Sequence, residues 1–204
     1  MKNTLCKAGA IFSFVILAAS SSPAVVLFSQ PFNGANYYYS DGLPGYAKVY
    51  DDFILGGGGT ISKVDWSGLD PNDDLTGFTI NIFSDNSGSP GTSLSSSVIT
   101  GNAGETPSGT LTINNYSATL PTAFTAAPGT EYYIQILGTA SGAGGFYWET
   151  SSQGNDGALS DLFTVSPMNN NLAFTLEGTP EPTTIVLGLL GAITFLVRRP
   201  STKS

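Results

Sequence analysis

The chain has 204 residues, seven basic and fifteen acidic side chains, and a formal net charge of −8. It has no histidine and a single cysteine, Cys6. This composition excludes a Ser-His-Asp triad, a Cys-His dyad, a zinc site of His or Cys ligands and a disulfide framework. An acidic chain also repels phosphates, so we expect no nucleic-acid partner. Its 41% of hydrophobic residues predict a folded core.

The first 24 residues have the pattern of a signal peptide. A short basic region precedes an apolar stretch, Ala8–Ala19, and small residues follow up to Ala24. The stretch is shorter than the roughly 20 residues that a membrane-spanning helix needs, which disfavours an uncleaved anchor. We expect a signal helix at residues 1–24 that signal peptidase removes after Ala24, with Ala19 and Ser20 as alternative cleavage sites.

The body, residues 25–178, has the pattern of an all-β domain. Short apolar runs alternate with turns rich in Gly, Pro, Asn and Asp, and no helical apolar stripe is sustained. We therefore predict a single antiparallel β-sandwich that is jelly-roll-like. The predicted strands lie at Val25–Phe28, Tyr46–Leu55, Thr60–Trp66, Phe78–Phe83, Leu111–Ile113, Thr119–Phe124, Glu131–Leu137, Phe146–Thr150 and Leu172–Leu176, with a long turn at Ser84–Gly91.

Carboxylate pairs are the candidates for glycosidase chemistry, which needs two acids roughly 5–10 Å apart. Glu131 and Glu149 lie in predicted strands, and Glu131 is predicted to open its strand at the surface. Asp51-Asp52 and Asp73-Asp74 are adjacent pairs that are predicted to be solvated in or near turns. No pair is favoured as catalytic, so the sequence predicts that the body is not an enzyme.

A calcium site is the one cofactor hypothesis. Asp70, Asn72 and Asp74 place oxygen ligands at alternate positions, as in the first half of an EF-hand loop. Leu75 at the sixth position and Asn81 at the twelfth exclude an EF-hand itself. The remaining alternatives are an irregular calcium site and no cofactor at all.

Tyrosines are the candidates for carbohydrate stacking, because a ring offers a flat apolar face with a polar rim. Tyr37, Tyr38 and Tyr39 lie in a stretch rich in Gly and Asn, and Tyr147 is predicted to point outward from its strand. The large rings expected in the core instead are Trp66, Phe146 and Trp148.

The C-terminal segment, residues 179–204, combines three ordered features. Pro180, Glu181 and Pro182 are expected to keep the chain extended, residues 183–197 are predicted to form a short apolar helix, and a basic tail follows with Arg198 and Arg199. The arginines place the tail on the cytoplasmic side, with the body outside. A plain single-pass anchor is the alternative.

This segment resembles the PEP-CTERM sorting signal of Gram-negative bacteria. The resemblance implies that exosortase, a membrane transpeptidase-like enzyme, processes the tail after transient anchoring in the inner membrane. It also implies delivery to the cell envelope, surface or extracellular matrix, in association with exopolysaccharide and biofilm.

The body resembles a β-sandwich module of exported bacterial proteins with such tails. The residues that carry this resemblance are Asp51-Asp52-Phe53, Val64-Asp65-Trp66-Ser67-Gly68, Ile82-Phe83-Ser84-Asp85 and Ser89-Pro90-Gly91-Thr92. We therefore expect a structural or interaction module of the cell surface or matrix, and the alternatives are a lectin-like module or, less favoured, a glycoside-active enzyme.

Overall fold

We describe a computed structural model of the chain over residues 23–32, 36–42, 45–108, 113–142, 145–161 and 164–181. The regular secondary structure of these residues is β throughout. The strands are β1 (Val25–Gln30), β2 (Tyr37–Tyr39), β3 (Val49–Ile54), β4 (Gly59–Leu69), β5 (Leu75–Asp85), β6 (Pro90–Thr100), β7 (Thr106–Pro107), β8 (Asn114–Ala126), β9 (Glu131–Ala140), β10 (Tyr147–Ser151), β11 (Leu159–Ser160), β12 (Ser166–Pro167), β13 (Asn171–Leu172) and β14 (Phe174–Pro180).

The strands form two antiparallel sheets. The first sheet has the order β1-β14-β4-β10-β13, with β2 beside β10 and β8 between β4 and β7. The second sheet has the order β12-β11-β3-β9-β5-β6. The long strand β4 is the centre of the first sheet, because it pairs with β14, β8 and β10.

The inner faces of the two sheets share one apolar core. Trp66 of the first sheet contacts Phe78 of the second edge to face, with ring centroids 4.9 Å apart. Trp66, Phe146 and Trp148 are at most 2% exposed, as the sequence predicted for large rings. The fold is therefore all-β and sandwich-like. The other fully buried large side chains are Phe53, Ile61, Ile80, Ile82, Tyr116, Ile134, Ile136, Leu172 and Phe174.

The predicted strand at Phe78–Phe83 lies within β5, whereas the sequence pattern predicted no strand at β6. β6 is the outermost strand of the second sheet, and most of its side chains are small and polar or exposed. Val98 on this strand is 67% exposed. An edge strand that buries few side chains needs no alternation of apolar residues, which is why the pattern did not reveal it.

A break in the alternation of β4 corresponds to a β-bulge. Ile61 and Val64 are both buried although they are three positions apart. The pairing of β4 shifts between Ile61 and Lys63 against both β14 and β8, and relative to β14 the extra residue is Ser62. The bulge restores the inward direction of Val64.

The predicted terminal helices lie outside the described residues, which begin at Pro23 and end at Glu181. Ala24, the predicted cleavage position, is exposed and directly precedes β1. Within the described ranges we find no helix long and apolar enough to cross a bilayer.

Candidate functional site

The pairing of β2 with β10 brings the predicted tyrosines together. Tyr37 lies opposite Glu149, Tyr38 opposite Trp148, and Tyr39 opposite Tyr147. Successive side chains of a strand face opposite sides of the sheet. Tyr37, Tyr39 and Tyr147 therefore share the outer face of the first sheet, while Tyr38 and Trp148 face the core.

The outer rings form what we call the tyrosine patch: Tyr37, Tyr39, Tyr46 and Tyr147. The Tyr147 ring meets Tyr37 and Tyr39 edge to face, with centroids 5.4 and 4.9 Å apart. Tyr46 lies 5.2 Å from Tyr39 at an interplanar angle of 33°. Tyr37 is 54% exposed and Tyr46 49% exposed, so the patch presents aromatic surface to solvent.

The members of the patch differ from the sequence prediction at two tyrosines. Tyr38 packs against the core, and its hydroxyl accepts a hydrogen bond of 2.7 Å from Asn170 Nδ2. It is not a member of the patch, because strand alternation turns it away from Tyr37 and Tyr39. Tyr46, which the sequence did not single out, joins the patch from the loop that precedes β3.

Carboxyl groups lie beside the patch. The Tyr39 hydroxyl donates a hydrogen bond of 3.1 Å to Asp41 Oδ2, and burial together with this carboxylate raises the pKa of Tyr39. Glu149, on the same face as Tyr37, is 2% exposed. Burial raises the pKa of Glu149 to about 7, against the opposing hydrogen bond from the Thr150 backbone.

This arrangement has the chemistry of a carbohydrate-binding surface. Exposed rings offer apolar faces against which the C–H faces of a sugar ring can pack, and their hydroxyls supply polar contacts at the rim. Asp41 and Glu149 are 0% and 2% exposed, so these two carboxyl groups are not accessible to a ligand.

The predicted calcium-binding side chains lie in the loop between β4 and β5. Asp70 Oδ1 accepts the N–H of Asn72 at 3.3 Å, and its Oδ2 accepts the N–H of Leu75 at 2.9 Å. Asp74 Oδ1 is buried and has no hydrogen-bond partner in the described part of the chain. Those same ranges contain no group of three or more Asp, Glu, His or Cys residues placed to hold a metal ion. An irregular calcium site and no cofactor therefore both stay as alternatives.

The expectation that Asp51 and Asp52 are solvated is wrong: they are 0% and 3% exposed. Asp51 accepts backbone N–H bonds from Asp52 (3.0 Å) and Leu172 (2.6 Å). With the Gln30 amide assigned in the orientation that satisfies its hydrogen bonds, the Gln30 nitrogen donates to Asp51 Oδ2 at 2.7 Å. Burial raises the pKa of Asp51 well above its usual value. Asp52 accepts a bond of 2.6 Å from Asn155 Nδ2.

Asp51 and Asp52 do not form a catalytic pair with each other. Adjacent residues of β3 face opposite sides of the sheet, so their carboxyl groups do not converge on one substrate. Glu131, another acid considered from the sequence, is half-buried at the start of β9. Burial, and then the charges of Asp52 and Asp85, raise the pKa of Glu131.

The predicted sorting motif starts at the end of the first sheet. Pro180, which is exposed, is the last residue of β14, and Glu181 follows it half-buried. The remaining motif residues lie outside the described ranges: Pro182, Arg198 and Arg199.

No protein-family model matches the chain, and no curated protein shows a significant match to it. Its function is therefore inferred from the residues of the body and of the two terminal segments.

Proposed function

We propose that the chain is an exported, non-catalytic interaction module that binds a neutral extracellular polysaccharide through the tyrosine patch. The observation that carries this proposal is the exposed aromatic surface on the outer face of the first sheet. Three of its four rings, Tyr37, Tyr39 and Tyr147, are placed by the β2–β10 pairing, so the surface is fixed before a ligand arrives. Preorganised rings lose little conformational freedom on binding.

The charge of the body favours an uncharged polymer. Between Val25 and Pro182 the chain has two lysines against fifteen acids, a net charge of −13. Such a surface repels uronic-acid, sulfated or phosphorylated polymers at low salt. Neutral sugars pay no such electrostatic cost.

The terminal segments support the proposed location. We propose that signal peptidase removes residues 1–24 and that exosortase processes the segment 179–204 after transient anchoring in the inner membrane. The body, proposed to be jelly-roll-like, would then reside at the cell surface or in a biofilm matrix of a Gram-negative bacterium. The intact mass of the protein from its host tests both cleavages, and a mass equal to that of all 204 residues would contradict them.

Affinity electrophoresis in gels that contain neutral exopolysaccharide from the host tests the binding proposal. We expect the polymer to retard the full-length chain, and the double variant Tyr37→Ala/Tyr147→Ala to migrate without retardation. Val98→Ala is the control, because it removes an exposed apolar side chain from the second sheet. Retardation that survives in the double variant would exclude the patch as the binding surface.

A purely structural matrix component is the second candidate. It is favoured by the low content of charged residues, 11% of the chain, and by the absence of histidine. It predicts no retardation of the wild-type chain in any of these gels.

A further inference from the structure

A cavity of about 380 Å³ lies on the outer face of the first sheet. Its floor is formed by side chains that alternate with core residues on three adjacent strands, so they point away from the core. The walls are the segment Gln30–Phe32 together with Gly104 and Thr106. The polar floor residues are Asp65 and Ser67 of β4, Asn115 and Ser117 of β8, and Thr175 of β14. We call this cavity the sheet-face pocket.

The floor offers both donors and acceptors of hydrogen bonds. Ser67 Oγ donates a bond of 2.9 Å to Asn115 Oδ1. This bond fixes the orientation of the Asn115 amide, and it leaves the two amide N–H groups available for another partner. The hydroxyl of Ser117 and the carboxylate of Asp65 supply further polar atoms. Sugar hydroxyls, which donate and accept at once, match such a mixed set.

The charges at the pocket favour an uncharged ligand. Lys63 Nζ lies 3.1 Å from Asp65 and 3.2 Å from Glu177, so the one nearby cation in the described residues is already paired with two carboxylates. An anionic group would meet a net negative surface.

The volume of the sheet-face pocket limits the size of its ligand, and one wall of the pocket is aromatic. Ligand pockets span roughly 300–1,000 Å³, so about 380 Å³ is at the small end of that range. The half-buried Phe32 in the wall adds an aromatic surface. The pocket thus combines an aromatic wall, a polar floor and the size of a single ring.

We propose that the sheet-face pocket binds one neutral pyranose residue. The site is separate from the tyrosine patch but lies on the same face of the same sheet. Leu69 of β4 pairs with Tyr147 of the patch, and Ser67 is two residues from Leu69, about 7 Å along the strand. One polymer chain can therefore engage the pocket and the patch together.

Saturation-transfer NMR on the full-length chain with free D-glucose, D-galactose, D-mannose, N-acetyl-D-glucosamine and L-rhamnose tests the pocket. We expect at least one sugar to bind the wild type. Ser117→Phe fills the pocket and should abolish the signal, whereas Thr119→Phe should keep it. Thr119 is the matched control, because it is the next outward-facing residue of β8 and lies outside the pocket. Asn115→Ala removes the free amide donors and should weaken binding about tenfold.

Two results would overturn the proposal. One is the absence of binding by all five sugars; the other is equal binding by Ser117→Phe and Thr119→Phe. Should Ser117→Phe fail to fold by circular dichroism, Asn115→Ala decides, and wild-type affinity in that variant contradicts the pocket.

Different experiments test the pocket proposal and the patch proposal. In the double variant Tyr37→Ala/Tyr147→Ala, free sugars should still bind while retardation by the polymer is lost. Loss of free-sugar binding in this variant would place the sugar on the tyrosines and remove the pocket as a site.

Discussion

The buried carboxyl group of Glu149 predicts how stability changes with pH. Glu149 is 2% exposed, and its pKa rises from 4.5 in the unfolded chain to about 7 in the fold. The folded state therefore holds a proton that the unfolded chain has already released. A raised acid pKa means that stability is fully present below pH 4.5 and is lost as the pH rises to about 7.

The size of the effect follows from the two pKa values. Between 4.5 and about 7, each pH unit lowers the free energy of unfolding by about 1.4 kcal/mol, so the total is about 3 kcal/mol. Glu149→Gln replaces the carboxyl group by a neutral group of the same shape. We expect the variant to match the wild type at pH 4 and to be more stable by about 3 kcal/mol at pH 8.

Urea unfolding of both chains at pH 4, 6 and 8 measures this difference. Comparison with the wild type at each pH isolates Glu149 from the other acids that titrate. Glu177→Gln is the control, since it removes a half-buried acid of the same sheet that pairs with Lys63, and it should give no gain at pH 8. A Glu149→Gln chain that is less stable than the wild type at pH 8 would refute the reasoning, because it would show that the ionised carboxylate stabilises the fold.

Three further predictions concern the core and the calcium hypothesis. Asp51→Ala should lower the free energy of unfolding by about 3 kcal/mol, because it leaves without an acceptor the buried N–H groups that donate to Asp51. Chemical denaturation measures this change, and a loss below about 1 kcal/mol would contradict the prediction. Gly68→Ala should destabilise by a similar amount, since an added Cβ would overlap the Phe146 ring. A Tm within about 1 °C of wild type would contradict the close packing. Because Asp70 already accepts two N–H groups of its own loop, we expect Tm to be equal in millimolar calcium and in EDTA; a rise with calcium that Asp74→Asn abolishes would establish the site.

Local patterns predicted the elements whose side chains alternate between core and solvent. The alternation of Phe78, Ile80 and Ile82 predicted the strand β5, and the cluster of Asp, Asn, Ser and Gly residues that follows predicted the turn after it. The edge strand β6 gave no signal, because it buries few side chains. The sequence predicts a strand where buried and exposed side chains alternate, and it does not predict an edge strand whose side chains are mostly polar.

The candidate sites depend on register, which local sequence does not contain. The tyrosine run predicted exposed rings, but only the pairing with β10 shows that Tyr38 turns inward. Tyr46 joins from a separate loop. Asp51 is buried because Gln30 and Leu172, both far away in sequence, bring N–H groups to its carboxyl group. These arrangements are properties of the assembled sheets.

The affinity of the tyrosine patch for neutral host polysaccharide tests the account most directly. We expect the Kd of Tyr37→Ala/Tyr147→Ala to exceed that of the wild type at least tenfold, a loss of about 1.4 kcal/mol, with Val98→Ala unchanged. Equal Kd values for the double variant and the wild type would contradict the account.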